Sequence, residues 1–217
     1  MILPAPKFIA NSADGMHCGP AVWRMILESY FPDQSWTYDK IDQIIQKEPG
    51  KYTWAQTFHP TMLDAGISLT AISTWDDAQF IERTWDYVRE RSGAASANAQ
   101  EEHAQDLNFV KSAMKNLLAD DRIKHHLRPA TWSDLSSALN DGAYVSCTIN
   151  SRVINEREGF NSHTVLVYGV DDTSVHLQDP GPLNAGSRTV NRDLFDKAWA
   201  FNGPDVRSLV AYKNRAA

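Results

Sequence analysis

The chain has 217 residues, 42% of them apolar and 22% charged, a composition that supports one folded domain of moderate size and excludes a disordered tail or a collagen-like rod. Its 21 Lys and Arg against 27 Asp and Glu leave a formal charge of −6, which offers no footprint for a phosphate backbone, so nucleic acid is not an expected partner. No apolar run approaches the roughly 18 to 20 residues of a membrane-spanning helix, and 2 cysteines make no disulfide framework.

The amino terminus, Met1 to Lys7, has neither a basic leader nor a sustained apolar stretch, so the expected location is the cytoplasm, with both thiols reduced. From Gly19 to Phe31, Val22, Met25, Ile26 and Ser29 follow helical spacing, and Pro20 suits a first turn, so a helix starts at about Cys18 to Pro20 and closes at Pro32-Asp33. Ser35 is the expected cap of a second helix through Tyr38, Ile41, Ile44 and Ile45, ending at Pro49-Gly50. A third covers Trp54 to Ala65. Gly66 stops it, and Ile67 to Ile72 alternates with the period of a strand.

Asp76 to Leu127 reads as an almost wholly helical block, with Phe80, Ile81, Trp85 and Val88 as one stripe and Leu107, Val110, Met114, Leu117 and Leu118 as another. The small residues from Ser92 to Ala99 read as a loop between the two. Thr131 caps a short helix over Trp132 to Leu139, and Asp141-Gly142 turns into a strand over Ala143 to Ile149. Thr164 to Tyr168 and Ser174 to Gln178 form a hairpin around Asp171-Asp172-Thr173. Asn191 caps a helix through Phe195 and Trp199, and Val206 to Tyr212 supplies the last strand. The order, helices first and antiparallel strands after, implies an α+β fold in two segregated halves with a cleft between them. A single domain over 1–217 follows, with a helical half at 1–75, a helical insertion or flap at 76–128 and a sheet half at 129–217.

Cys18 stands at the start of the first helix. Free backbone N–H groups and the positive end of the helix dipole favour a thiolate there. Gly19 leaves room beside the sulfur for an acyl group, and the N–H of Cys18 itself is placed to donate to a developing oxyanion. If the hairpin pairs Val170 with Ser174, Val165 lies opposite Asp179, and His163 and Asp179 share one face as diagonal neighbours. A slip of one residue would separate them. Alone, each residue has a plainer reading: Cys18 as filling, His163 bonded to backbone, Asp179 as the stabiliser of a turn at Pro180-Gly181. Their coincidence is what points to chemistry.

Cys18-Gly19-Pro20-Ala21, a helix carrying Met25 and Leu27, His163 to Gly169 and Asp179-Pro180 together resemble the double-glycine leader peptidases that process bacteriocin precursors, and their free-standing bacterial relatives. The resemblance covers Phe8 to Phe31 and Ala143 to Pro182, and leaves the middle of the chain uncovered. It implies the papain-like cysteine proteinase fold, with Cys18 as nucleophile, His163 as general base and acid, and Asp179 as the carboxylate that orients the imidazole. A peptide or protein is then the substrate, cleaved at an amide bond through a thioester. The motifs also resemble phytochelatin synthases, which pass the acyl group to an amine, and a catalytically silent peptide-binding module is the rival of another class. Family members carry a Gln six residues before the Cys to complete the oxyanion hole. Here that position is Ser12, and Asn11 is the preferred donor, with Ser12 second.

The remaining polar side chains read more simply. Cys147 packs in its strand. His103 and His125-His126 lack ligand spacing, so no metal is expected, nor any cofactor. His17 is a wall of the cleft or a surface residue. Asp171-Asp172 solvates a turn. Trp54, Trp75, Trp85 and Trp132 fill core or line the groove.

Overall fold

The computed structural model describes residues 1–183, 185–200 and 206–216. Helix α1, Cys18–Tyr30, has Pro20 in its first turn and buries Ala21, Val22, Met25, Ile26 and Leu27. Helix α2, Tyr38–Ile45, is capped by Thr37, whose side chain accepts from the Lys40 N–H. The expected cap Ser35 lies too far upstream, because the cap must be the extended residue that immediately precedes the first helical one. The helix expected over Trp54 to Ala65 is two pieces, a 3-10 turn at Ala55–Thr57 and α3 at His59–Asp64. Pro60 lacks an amide hydrogen and therefore sits in the first turn of a new helix. Strand β1, Ile67–Ser73, follows as expected.

The middle of the chain corrects the sequence reading twice. Four helices, α4 (Asp77–Arg83), α5 (Trp85–Ser92), α6 (Ala94–Glu102) and α7 (Leu107–Leu118), occupy most of it, and α6 runs where a loop was expected. Alanine's helix preference outweighs the look of a small-residue linker. Second, Ile123–Leu127 is not helical but strand β2, which pairs in parallel with β1. Only Ile123 of β2 is buried, so the strand shows no hydrophobic period and takes its place through its pairing with β1. No helix among the described residues is long and apolar enough to cross a membrane.

Beyond it come α8 (Trp132–Asn140), with a reciprocal capping box between Thr131 and Asp134, then β3 (Tyr144–Asn150) and the single-turn α9 (Ser151–Ile154). Strands β4 (Ser162–Val170) and β5 (Ser174–Asp179) form the expected hairpin. An unforeseen strand β6 (Gly186–Asn191) precedes α10 (Arg192–Trp199), which Asn191 caps. The last strand, β7 (Leu209–Asn214), begins later than expected.

All seven strands form one sheet in the order β2-β1-β7-β3-β4-β5-β6. The α+β class holds, and β3 to β7 are antiparallel to their neighbours. The two halves are not segregated, however. Strand β7 lies between β1 and β3 and so joins the early part of the chain to the late sheet. Alternation along β4 divides the core: Leu166 and Tyr168 face α1, α2 and α3, whereas Val165 and Val167 face α8, α9 and α10. Trp54, Trp75 and Trp85 pack on a smaller satellite core around Phe80 and Val88.

Trp199 anchors the second layer. It is fully buried, lies against Phe195 and Trp132, and its indole N–H donates to the Ser208 carbonyl at 2.8 Å. Trp199→Ala is expected to lower the unfolding free energy by about 3–5 kcal/mol, read from urea denaturation followed by far-UV circular dichroism.

Candidate active site

The N-terminus of α1 abuts β4 near its first residues. Cys18 is the first helical residue and His163 the second of β4. The Cys18 and His163 side chains are near enough for each to shift the other's titration. The backbone N–H groups of Thr164 and Gly19 lie on the same side and lower the thiol pKa. Cys18 is partly exposed as a residue, while His163 and Asp179 are 4% and 1% exposed, so it is the least enclosed of the three.

His163 Nε2 bonds Asp179 Oδ1 at 2.8 Å. The strand register that permits this contact is not the simple one. Near the hairpin tip Val170 pairs with Val175 and Gly169 with His176, one step away from the expected Val170 to Ser174 pairing. Continued unbroken, that register would send His163 and Asp179 to opposite faces. A bulge between Val167 and Gly169 takes up one residue, after which Val167 pairs with Leu177 and Leu166 with Gln178. Extended by one residue, this sets Val165 against Asp179, the pairing read from the sequence, and His163 and Asp179 again share a face.

Asp179 is held from three sides. Its Oδ1 also accepts from the Gly181 N–H at 3.0 Å, and its Oδ2 accepts from Arg188 Nη1 at 2.7 Å. Gly181 adopts φ +87, and a Cβ there would meet the Ala185 Cβ at 2.7 Å, so only glycine can make this turn. Arg188, on β6, spends its Nη2 on the Ile154 carbonyl at 3.1 Å. Sequence reasoning missed Arg188 because it missed β6. The signal was the alternation of Ser187, Arg188, Thr189 and Val190 just after Asp179-Pro180-Gly181.

Electrostatics make the three side chains a charge-separated set. Burial pushes the Cys18 thiol up, but the hydrogen bond and positive charge of His163, with the Thr164 and Gly19 N–H groups, outweigh it and leave the thiol pKa lowered. Burial pulls His163 down, while the Asp179 carboxylate and the Cys18 sulfur pull it up further, to about 9. Asp179 is raised by burial and lowered more strongly by His163, Gly181 and Arg188. Cys147 is the contrast: wholly buried among apolar side chains, its thiol is pushed well up. The lowered Cys18 thiol and the raised His163 favour a thiolate beside an imidazolium, whereas burial favours the thiol form of Cys147.

The loop before Cys18 departs from expectation. Asn11 donates from Nδ2 to the carbonyls of Gly15 at 3.1 Å and Gly181 at 3.2 Å, and its Oδ1 accepts from the His17 N–H at 2.7 Å. Both of its amide hydrogens are thus spent. Ser12 Oγ is bonded to Asp14 Oδ1 and to His17 Nδ1. Both side chains knit the loop together, and neither presents the oxyanion donor expected of it. The backbone N–H of Cys18 remains, in a first helical turn that has no intrahelical acceptor for it. His17 is also not a surface residue: it is 6% exposed, and its Nε2 bonds Asp42 Oδ2 at 2.9 Å. This contact ties the loop before Cys18 to α2.

Comparison with known proteins adds the following. No protein-family model matches the chain, and no curated protein sequence matches it. Among solved structures, the chain is similar to the peptidase domain of Streptococcus ComA, a bi-functional ABC transporter involved in a quorum sensing pathway, at 12% identity and a TM-score of 0.48, covering 95% of this chain and 97% of that one. It is also similar to a C39-like peptidase from Bacillus anthracis, at 18% identity and a TM-score of 0.33, covering 48% of this chain and 56% of that one.

Proposed function

We propose that this protein is a papain-like cysteine peptidase-like hydrolase that cleaves amide bonds of peptides through Cys18, His163 and Asp179. The observation that carries the reading is the alignment of a partly exposed cysteine at a helix start, a buried imidazole beside it and a buried carboxylate bonded to that imidazole. That is the arrangement a nucleophile, its acid-base partner and an orienting group require.

The Cys18 thiolate attacks the carbonyl carbon, and the carbonyl oxygen becomes an oxyanion beside the Cys18 N–H. Because Nε2 of His163 is committed to Asp179, Nδ1 is the nitrogen left to serve the sulfur side. Its proton goes to the leaving amine as the carbon–nitrogen bond breaks, leaving a thioester and a neutral imidazole. Water then attacks the thioester while His163 takes its proton. Release of the acid restores the thiolate and the imidazolium. A reducing, cytoplasmic setting suits a mechanism that depends on a free thiol.

The engaged side chains of Asn11 and Ser12 favour a second reading, a module that binds peptides and turns them over slowly or not at all, since loss of one oxyanion donor costs on the order of a hundredfold or more in rate. Incubation with a peptide library and mass spectrometry of the intact protein separates the two. A mass increase on Cys18 that decays with time supports hydrolysis. Absence of any adduct with substrate peptides and peptide aldehydes alike removes the enzyme reading.

Activity requires Cys18 deprotonated and His163 protonated, so it rises as pH climbs through the lowered thiol value and falls as His163 loses its proton near about 9. The two limbs belong to the coupled pair and not to either residue alone. A bell-shaped profile of kcat/KM with its alkaline limb near about 9 is the expected result. A plateau extending past pH 10 would contradict the ion pair.

A further inference from the structure

A cavity of about 360 Å³ opens on the α1 side of the sheet, among β1, β2, β3 and β7, and neither Cys18 nor His163 lines it. It nevertheless begins close to the sulfur. Thr148, in its wall, is the cross-strand partner of Thr164, and the Thr164 backbone is near enough to Cys18 to lower its thiol pKa. Paired strands lie about 4.7–4.9 Å apart and an extended peptide advances about 3.3 Å per residue, so the near wall of the cavity is within about one to three residues of a scissile bond held at Cys18, and Asp77, which follows β1 two strands beyond β3, is a few residues further along.

The chemistry of the wall is that of a cation site. Asp77 is 8% exposed, and the two side chains that bond it, Gln56 Nε2 and Trp75 Nε1, both donate to Oδ1 at 2.9 Å. Among the described bonds none goes to Oδ2, which leaves a buried carboxylate with one open acceptor on a cavity wall. A buried charge of this kind needs a partner. At the mouth stand Leu118 and Leu127, 46% and 62% exposed, apolar surface on which an aliphatic stem can lie. Burial raises the Asp77 pKa, and of the cavity's imidazoles His125 is near enough to offset part of that, whereas burial holds His59 neutral, with its pKa at about 3. The described residues contain no cluster of His, Cys, Asp and Glu able to hold a metal.

We infer that this cavity is a specificity subsite that takes a lysine or arginine side chain of the peptide, with Asp77 as its counter-ion. The inference rests on the peptide substrate class proposed above. Its test is binding, so that turnover is not needed: fluorescein-labelled alanine-rich peptides carrying a single lysine, or norleucine in its place, at successive positions are titrated against the Cys18→Ala protein by fluorescence anisotropy. At one position lysine is expected to bind roughly ten- to a hundredfold tighter than norleucine, the range for a charge-assisted hydrogen bond to a buried group. Asp77→Asn, which keeps the Oδ1 acceptor for Gln56 and Trp75, is expected to bring that ratio close to one.

Equal binding of lysine and norleucine peptides at every position overturns the subsite, whatever the unaltered protein hydrolyses. So does a lysine preference that survives intact in a folded Asp77→Asn protein. A preference found in a protein that hydrolyses none of these peptides supports the subsite and defeats the hydrolase reading instead. The lysine and norleucine comparison on the Asp77-containing protein stands even if the Asn variant fails to fold.

Discussion

His163→Ala is expected to reduce hydrolysis through Cys18 by on the order of ten-thousandfold, because one substitution removes both the cation that keeps the sulfur ionised and the acid that protonates the leaving amine. The loss should fall mainly on kcat, since the imidazole is buried and offers little surface to the ground-state peptide. Alkylation gives a reading independent of any substrate. With His163 gone, burial is the largest remaining influence on Cys18 and it raises the thiol pKa, so iodoacetamide at pH 7 should label Cys18 far more slowly. Cys147, buried with a raised pKa of its own, is the internal reference for a thiol without an activating partner. Unchanged labelling of Cys18 in the alanine variant would show that the thiolate does not depend on His163.

Asp179→Asn should be nearly as damaging, by on the order of a thousand- to ten-thousandfold in kcat, for a reason visible in the hydrogen bonds. The carboxylate accepts from His163 Nε2 and the Gly181 N–H on Oδ1, and from Arg188 on Oδ2. An asparagine has one oxygen for these two groups of donors. If that oxygen faces His163 and Gly181, the new amide nitrogen confronts the Arg188 guanidinium. If it faces Arg188, the amide nitrogen confronts two N–H groups, the imidazole loses the partner that fixes its tautomer, and the thiolate loses its cation. In either case a buried ion pair is broken from one side, which costs about 3–5 kcal/mol of stability. Urea denaturation reads the stability term. The pH profile reads the chemical one, for the alkaline limb should move down from about 9 as His163 loses its carboxylate. An alkaline limb that stays in place would assign Asp179 a purely architectural role.

The helix that carries Cys18 was legible because its signals are local. Pro20 in a first turn and the spacing of Val22, Met25 and Ile26 define α1 wherever it packs. Local signals also located the caps Thr131 and Asn191. Strand β2 was illegible for the opposite reason: with four of its five residues exposed it carries no hydrophobic period, and only its parallel pairing with β1 makes it a strand. Strand β6 went unread although its alternation was present. With it went Arg188, the cation that grips the far side of Asp179.

The oxyanion side of the site shows the limit of reading by position. Asn11 and Ser12 stand at the right distance from Cys18 along the chain, yet Asn11 is turned to the carbonyls of Gly15 and Gly181, and Ser12 to Asp14 and His17. Sequence distance states how far a side chain can reach. It does not state which competing acceptor lies nearer.

From the chain alone came the helix that carries Cys18, the α+β class and the identity of the three side chains proposed for chemistry, because helical period, turn residues and strand alternation are written in neighbouring residues. Whether His163 and Asp179 meet was decided only in three dimensions. The hairpin tip is paired one step away from the expected register, and the bulge between Val167 and Gly169 restores it. A bulge depends on how two strands twist and pack against their neighbours, Ile2 bridging to Gly169 among them, and side chains in a sheet change face with every residue. A single extra residue, placed by packing and not by local preference, therefore determines whether the imidazole has its carboxylate.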